Sequence, residues 1–555
     1  MKRKVLALVL TVLFAVTFFA GCVNRGETPD VSATPTATAK PTATPTPEPT
    51  YEQLDPNTEG ELTIMMWSGD GTYMEDIGHK DLSPEEIGGF NQAAAYAVAK
   101  AFNAIYPNIK INVFAKVDGP DDANGTWEQH KENFKAEYGA YPDLFVETDI
   151  PGMIRKGLVA DLSIFSDDPL YKSLNPGIMD LMKFGDVQAA LPQYLLPWGV
   201  YVNKSLAEDN NLDVPEANWT IDEYTDFISQ ADMENFYGAM DTPFSFITTG
   251  TKSVAYSLGQ FPDEDYVQLD SDEVKSLVDY IAKWSGYSVW AQNEIGKIPS
   301  EVMDGHWWWS HKFFLENKLL TNAGDPWMMG AGAHPDEANA MRIKAADWDI
   351  YPRPSTEFVG NTVGIVIDPF SVYNYAMDDG NPAISDEELM KTKIAYTFAA
   401  FWTADTRSWE ARANQMFLDG ETLAPALNDS FPYVVGEEFN KQMAAWYSVP
   451  THKRFQDKEL MPGFHYVLEL WEDGQLWDVS DKVYPWYYNE EGERRLILQE
   501  YLNMWDVNYA GAIRTEPNWA DNVKARLAEW DDLADKRFAD VFSAIDEALT
   551  EFYGK

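Results

Sequence analysis

Apolar and polar positions along the chain alternate in two rhythms, one with period two and one with a period near 3.6, and the rhythms take turns. ELTIMMW, from Glu61, is a short apolar strand that stops at Trp67, Ser68, Gly69 and Asp70. Ser83, Pro84, Glu85 and Glu86 form a helix start, with a capping hydroxyl, Pro in the first turn and Glu at the third position. Ala95, Val98, Phe102 and Ile105 share one face of a helix that Pro107 terminates, and Ile109, Ile111 and Val113 then alternate as a strand. A second helix from Trp127 to Tyr138 leads into a short buried strand, Asp143 to Val146, that ends at Glu147, Thr148 and Asp149. Strand, helix, strand, helix, strand predicts an α/β fold with a parallel sheet flanked by helices. Ligands of such sheets meet the loops after the carboxyl ends of the strands, which makes Trp67, Asp70 and Asp149 candidates for contact.

The stretch from Val187 to Lys204 breaks the rhythm. Leu195, Leu196, Val200, Tyr201 and Val202 have strand character, yet Pro192 and Pro197 interrupt them. Two prolines fit a strand that leaves one body of structure with its edge partly unpaired and enters another, carrying Tyr194 and Trp198 through the junction. The plainer alternative is an ordinary strand between two helices. Further on, Ser271 to Gly286 is helical in pattern, Asn361 to Asp368 reads as a buried strand, and Thr392 to Thr403 is again helical. In Gly305, His306, Trp307, Trp308, Trp309 and Ser310, consecutive indoles cannot all face one way, so at least one projects from the core unless the cluster packs under a loop. From Asn522 to Phe552, Val523, Leu527, Trp530, Ala534, Val541, Ile545 and Leu549 form the packing stripe of one or two terminal helices, with a coiled-coil partner as the second reading.

At the other end, Lys2, Arg3 and Lys4 precede an apolar run from Val5 to Ala20, too short to span a bilayer and right for a secretory signal. Phe19, Ala20, Gly21 and Cys22 resemble a lipoprotein signal in which the mature chain begins at a lipidated Cys22, with Phe19 where Leu is usual. Cys22 is the single cysteine, so no internal disulfide is available. A Thr/Pro-rich run follows, and residues 23–57 are expected to form a disordered tether that no core can claim.

Composition narrows the function. A length of 555 residues calls for two lobes rather than one core, and a net charge of −47 argues against nucleic acid and against a broad anionic lipid surface. Twenty tryptophans exceed what packing usually needs and point to the apolar faces of sugar rings. The chain has no phosphate-loop, zinc-helix or serine-elbow motif, and Asp209, Asn211 and Asp213 fail as a calcium loop because Val214 and Thr220 stand at its key positions. His306 and His311 are five apart, not a helical metal pair, so neither metal nor cofactor is expected. The 89 acidic residues leave a glycosidase pair open without indicating one.

These elements also carry a family resemblance. Leu191, Pro192 and Tyr194, followed by Tyr201, Asn203 and Lys204, resemble the crossover strand of the extracellular solute-binding proteins of carbohydrate ABC importers, the maltose and oligosaccharide type. Tyr106, Pro107 and Ile109, Pro142 and Asp143, the Gly157–Leu162 turn, Asn218 to Tyr224, Asp349 to Pro354 and Leu423 to Pro425 resemble further family motifs in the same order. Gly305, Trp307, Trp309 and Ser310 match the family segment that supplies a sugar-stacking Trp. The resemblance implies a two-lobed periplasmic-binding-protein-like fold of type II: residues 58–194 with 356–435 as one lobe, 195–355 with 436–555 as the other, hinged near Leu195 to Gly199 and near Arg353. It implies no catalysis and a ligand site drawn from Trp67, Asp70, Asp149, Tyr194, Trp198, His306, Trp307 and Trp309. The implied partners are an oligosaccharide or similar polar solute and ABC permease subunits, with membrane contact through the N-terminal lipid alone and a monomeric chain. A surface glycoside hydrolase or lyase, and a sensor or adhesion lipoprotein, are the alternatives.

Overall fold

Among the described residues two larger sheets, of seven and four strands, organise the fold, and the chain crosses from one to the other and back. The computed structural model describes residues 52–67, 72–116, 127–146, 149–240, 266–294, 296–299, 312–323, 347–378, 384–419, 422–427, 430–478, 486–488, 494–496 and 518–555. Cys22, Asp70, His306, Trp307 and Trp309 lie outside these residues, as does the tether up to residue 51.

The larger sheet opens with β1 (Gly60–Trp67), β2 (Tyr73–Met74), β3 (Ile109–Lys116) and β4 (Leu144–Val146). β1 is parallel to both β3 and β4, and β2 is antiparallel to β3. The helix expected after Ser83 comes in two pieces. A single turn, Pro84–Ile87, closes the capping box, Gly88 then adopts φ 89, and α1 (Phe90–Asn103) begins afresh. Gly88 permits that left-handed turn, and Gln92 locks it by accepting from Gly89 N at 2.7 Å. α2 (Trp127–Tyr138) has the expected bounds, and α3 (Ile150–Arg155) follows β4.

β5 (Leu191–Trp198) is parallel to β4, because each pairs antiparallel with the later strand β10, Val363–Val372. Neither proline breaks it. Pro192 and Pro197 pair with Pro369 and Ile365, and the sole irregularity is a bulge at Gln193. The bulged carbonyl accepts from Tyr433 Oη at 2.7 Å and Trp402 Nε1 at 3.3 Å, so the extra residue's backbone acceptor is satisfied. One residue beyond Trp198, the chain enters the smaller sheet as β6 (Val200–Val202), beside β7 (Tyr237–Ala239), β8 (Leu319–Ala323) and β9 (Asp349–Tyr351), in the order β9-β6-β8-β7. Gly199 is the link, and a Cβ there would lie 2.5 Å from the Tyr351 carbonyl oxygen. Only glycine lets the outgoing strand run so close to the returning one.

The helices expected over 271–286 and 392–403 are α4 (Asp272–Trp284) and α5 (Asp386–Ala404). The turn expected at Leu423 to Pro425 is instead a strand, Thr422–Pro425, paired antiparallel with Met416–Asp419. α6 (Pro462–Glu472) precedes β11 (Leu476–Asp478), which joins the larger sheet beside β10. The terminal stripe falls on two helices, one of the expected readings: Val523 is buried on Trp519–Lys524, and Leu527, Trp530, Ala534, Val541, Ile545 and Leu549 are buried on α7 (Leu527–Tyr553). The Asp531 and Asp535 carboxylates accept from the backbone at Leu269, Tyr266 and Val267, while Tyr553 donates to Val159 O at 2.8 Å. The stripe therefore packs within the chain, one end near the segment leading to α4 and the other near the turn after α3.

Candidate functional site at the junction of the sheets

Register places the ends of the strands. β5 runs parallel to β1, β3 and β4, so Trp198 leaves the larger sheet on the same side as Trp67, Lys116 and Val146. In the smaller sheet Val200 pairs with Ala323 and Tyr351, the last residues of β8 and β9. Carboxyl ends from both sheets therefore converge on the junction, where α/β folds hold small ligands. Among the sequence candidates, Tyr194 and Trp198 lie on the strand that runs into the junction, paired with Asp368 and Gly364, whereas Trp67, paired with Lys116, ends its strand near the level of Leu191 and so lies short of the junction.

Asp149 is at this end too, but its carboxylate has structural work. It is 6% exposed and accepts from Gly152 N at 3.0 Å as the cap of α3. A Cβ on Gly152 would come within 2.1 Å of that carboxylate, which explains the glycine. Periodicity cannot separate a cap from a ligand contact, because both put Asp just after a strand.

Three residues not singled out from the sequence add buried polar chemistry. Lys116 is fully buried at the end of β3, and Lys131, 3% exposed on α2, holds its Nζ 4.5 Å from the Phe145 ring centroid and 3.6 Å from Met153 Sδ. Asn322, 2% exposed, pairs with Tyr201 near the end of β8. A lysine on a strand or an amphipathic helix reads as solvated, so only the packing exposes these roles.

The return crossing is tightly fixed. Arg353 N donates to Thr362 O at 2.8 Å, and its carbonyl accepts from Asn361 Nδ2 at 2.9 Å. The Arg353 guanidinium is fully buried, and burial pushes its pKa down to about 9, against a small opposing influence from Tyr224. Trp219 Nε1 donates to Pro352 O at 2.9 Å, beside the arginine. Two crossings side by side, Gly199 and 352–362, can act as a hinge if the bodies on either side move as units. Among the described residues no group of three metal-ligating side chains occurs, and no helix is long and apolar enough to cross a membrane.

Residues 97–348 match the model of the bacterial extracellular solute-binding protein family. No curated protein matches the chain. Among solved structures, the chain is similar to an ABC substrate-binding protein from Listeria monocytogenes in complex with cycloalternan, at 14% identity and TM-score 0.53, covering 87% of this chain and 100% of that one. It is also similar to a sugar transporter from Rhizobium etli in an open conformation, at 14% identity and TM-score 0.54, with 85% and 98% covered. A family 1 extracellular solute-binding protein from Alicyclobacillus acidocaldarius matches at 12% identity and TM-score 0.50, with 86% and 98% covered. These likenesses bear out the two-lobed periplasmic-binding-protein-like fold expected from the sequence.

Proposed function

We propose that this protein captures an oligosaccharide or related polar solute outside the cytoplasm and delivers it to an ABC importer, held to the membrane by a lipid on Cys22. The observation that carries the reading is the passage of one strand through Gly199 from sheet to sheet, with carboxyl strand ends of both sheets meeting beside it. The solute-binding family match over residues 97–348 supports it. The two lobes, 58–194 with 356–435 and 195–355 with 436–555, would close by bending at Gly199 and at the 352–362 crossing. Trp67, Tyr194, Trp198, Trp307 and Trp309 would stack on sugar faces, and Asp70 and His306 would take hydroxyls. Asp149 would order the loop through its cap and reach the solute with whatever capacity remains.

A thermal-shift screen over oligosaccharides, with product analysis, tests this. At a ligand concentration 100 times Kd, binding adds about 2.7 kcal/mol to the unfolding free energy, so a true ligand raises Tm by several degrees without being consumed. Trp309→Ala and Trp67→Ala should each weaken a hit about fivefold to thirtyfold, since loss of a stacked aromatic costs about 1–2 kcal/mol. Turnover of the sugar would refute the binding reading, and unchanged affinity in both variants would refute the site. Separately, Cys22→Ser should move the protein from the membrane fraction to the soluble extracytoplasmic fraction, as expected when the covalent lipid is the anchor. Retention of the variant in the membrane fraction would contradict the anchor.

A further inference from the structure

A lined cavity lies at the opposite end of the larger sheet from the junction. Thr63 is near the start of β1, and its backbone N–H donates to Asp143, which precedes β4, at 2.7 Å. Tyr373 and Tyr375 follow the carboxyl end of the antiparallel β10, so they arrive at the same amino-terminal edge. Between them lies a cavity of about 580 Å³, on the far side of the sheet from Trp67 and Val146.

Its lining is aromatic and acidic. Tyr73, Tyr138, Tyr141, Tyr373 and Tyr375 contribute rings, and Tyr73 stacks on Tyr138 with centroids 5.0 Å apart at 27°. Three hydroxyls are already committed to carboxylates: Tyr375 donates to Asp143, Tyr373 to Asp378 and Tyr141 to Glu132. What these tyrosines have left to offer a ligand is the ring face rather than the phenol proton. Around the rings stand Glu59, Glu61, Asp378 and Glu387, all exposed, with Lys391 as the one basic side chain of the lining.

The protein's own cations mark what such faces attract. Lys391 Nζ is 5.7 Å from the Tyr375 centroid, and Lys135 Nζ is 4.1 Å from that of Tyr141. A phenol that donates to a carboxylate has a more electron-rich ring, and ring faces flanked by carboxylates bind ammonium groups best. The hydroxyls of Tyr73, Tyr373 and Tyr375 are each pushed upward, chiefly by burial; Asp378 adds to this at Tyr373 and Asp143 at Tyr375, while at Tyr73 a hydrogen bond with Thr63 opposes it, and the rings stay neutral.

We propose that this cavity is a binding site for a small organic ammonium ion, separate from the solute site at the junction. Lys391 occupies part of the cation's place and competes with it. Glu387, 3.3 Å from Lys391 Nζ, already pairs with the lysine and keeps it at the cavity's rim.

The test is calorimetric titration of the full chain with choline and, in parallel, with 3,3-dimethylbutanol, the uncharged isostere of the same shape. Choline should bind and the isostere should not. Tyr138→Ala, a substitution at a ring 43% exposed, should weaken choline about tenfold. Lys391→Met should strengthen choline binding severalfold, because it removes both a positive charge and the internal competitor. Undetectable choline binding in both the wild type and Lys391→Met, equal affinity for the isostere, or a Tyr138→Ala variant that binds unchanged would each overturn the proposal. Unaltered unfolding midpoints in the two variants would confirm that the affinities compare folded proteins.

Discussion

Asp349→Ala is expected to lower the free energy of unfolding by about 3–5 kcal/mol, read as a drop in urea midpoint at unchanged slope. Asp349 begins β9 and is fully buried, yet its carboxylate serves an element more than a hundred residues later. One oxygen accepts from Gly463 N at 2.8 Å, and the other accepts from Phe464 N at 3.1 Å and Ile350 N at 2.8 Å. Gly463 and Phe464 belong to the first turn of α6, whose own preceding residue, Met461, supplies no side-chain cap. The smaller sheet therefore caps a helix that leads directly into the larger one through β11. Lys204 completes the joint, with Nζ 3.7 Å from Asp349 and donating to Leu460 O at 2.9 Å. A Cβ at Gly463 would sit 2.6 Å from the Ile350 carbonyl oxygen, so the helix end lies flush on the strand. Water has little room to replace a lost carboxylate there, and alanine strands two buried helix donors.

The same residue gives a pH signature with a definite sign. Burial pushes the Asp349 carboxyl above the ordinary carboxylate range, outweighing the backbone N–H groups and Lys204 that favour its charge. A group raised on folding holds its proton more tightly in the folded state, so its contribution is full below the unfolded value, near pH 4, and is lost as pH rises through the folded value. Asparagine has no such ionisation. The stability advantage of wild type over Asp349→Asn should be widest in acid and should narrow toward neutral pH. An advantage that grows with rising pH would contradict the assignment.

What could be read from the chain follows from which interactions are local. The alternations at Ile109, Ile111 and Val113, the apolar face of Ala95, Val98 and Phe102, and the stripe on α7 are written in neighbouring residues, and the structure has each of them. Pro192 and Pro197 correctly marked a strand with an open edge, because proline's missing donor matters only where a partner would stand. Asp349 was legible only as the start of a strand, since nothing near it hints at Gly463. The tyrosines of the cavity at the far end of the larger sheet are equally scattered, from Tyr73 to Tyr375, and only the antiparallel return of β10 gathers them. Asp149 shows a role that pattern does not reveal: its position after a strand suggests ligand contact, and in the fold its carboxylate also caps α3. Local pattern assigns elements well and assigns the work of a polar side chain poorly, because that work depends on what the fold brings near it.

Trp219→Ala should cost about 3–5 kcal/mol, as expected for emptying a fully enclosed indole site, and should also loosen the return crossing. Trp219 is 1% exposed and precedes the cap Thr220, whose hydroxyl accepts from Glu223 N. Its ring meets Tyr224 and Tyr351 edge-on, with centroids 5.3 and 5.1 Å away. Its backbone carbonyl accepts from Ser355 N at 3.0 Å and from Asn361 Nδ2 at 2.8 Å, while Nε1 holds Pro352 O. One residue thus grips the return crossing at three points, beside the buried Arg353. Trp219→Phe keeps most of the volume and loses the indole donor, leaving Pro352 O short of a partner at a cost of about 1–2 kcal/mol. The two variants separate packing from anchoring through amide hydrogen exchange at Arg353, whose N–H is bonded to Thr362 O. If the indole hydrogen bond anchors the crossing, Trp219→Phe should accelerate exchange there more than its small loss of global stability accounts for. Exchange at Arg353 that follows global stability alone in both variants would show that Trp219 is core packing and nothing more.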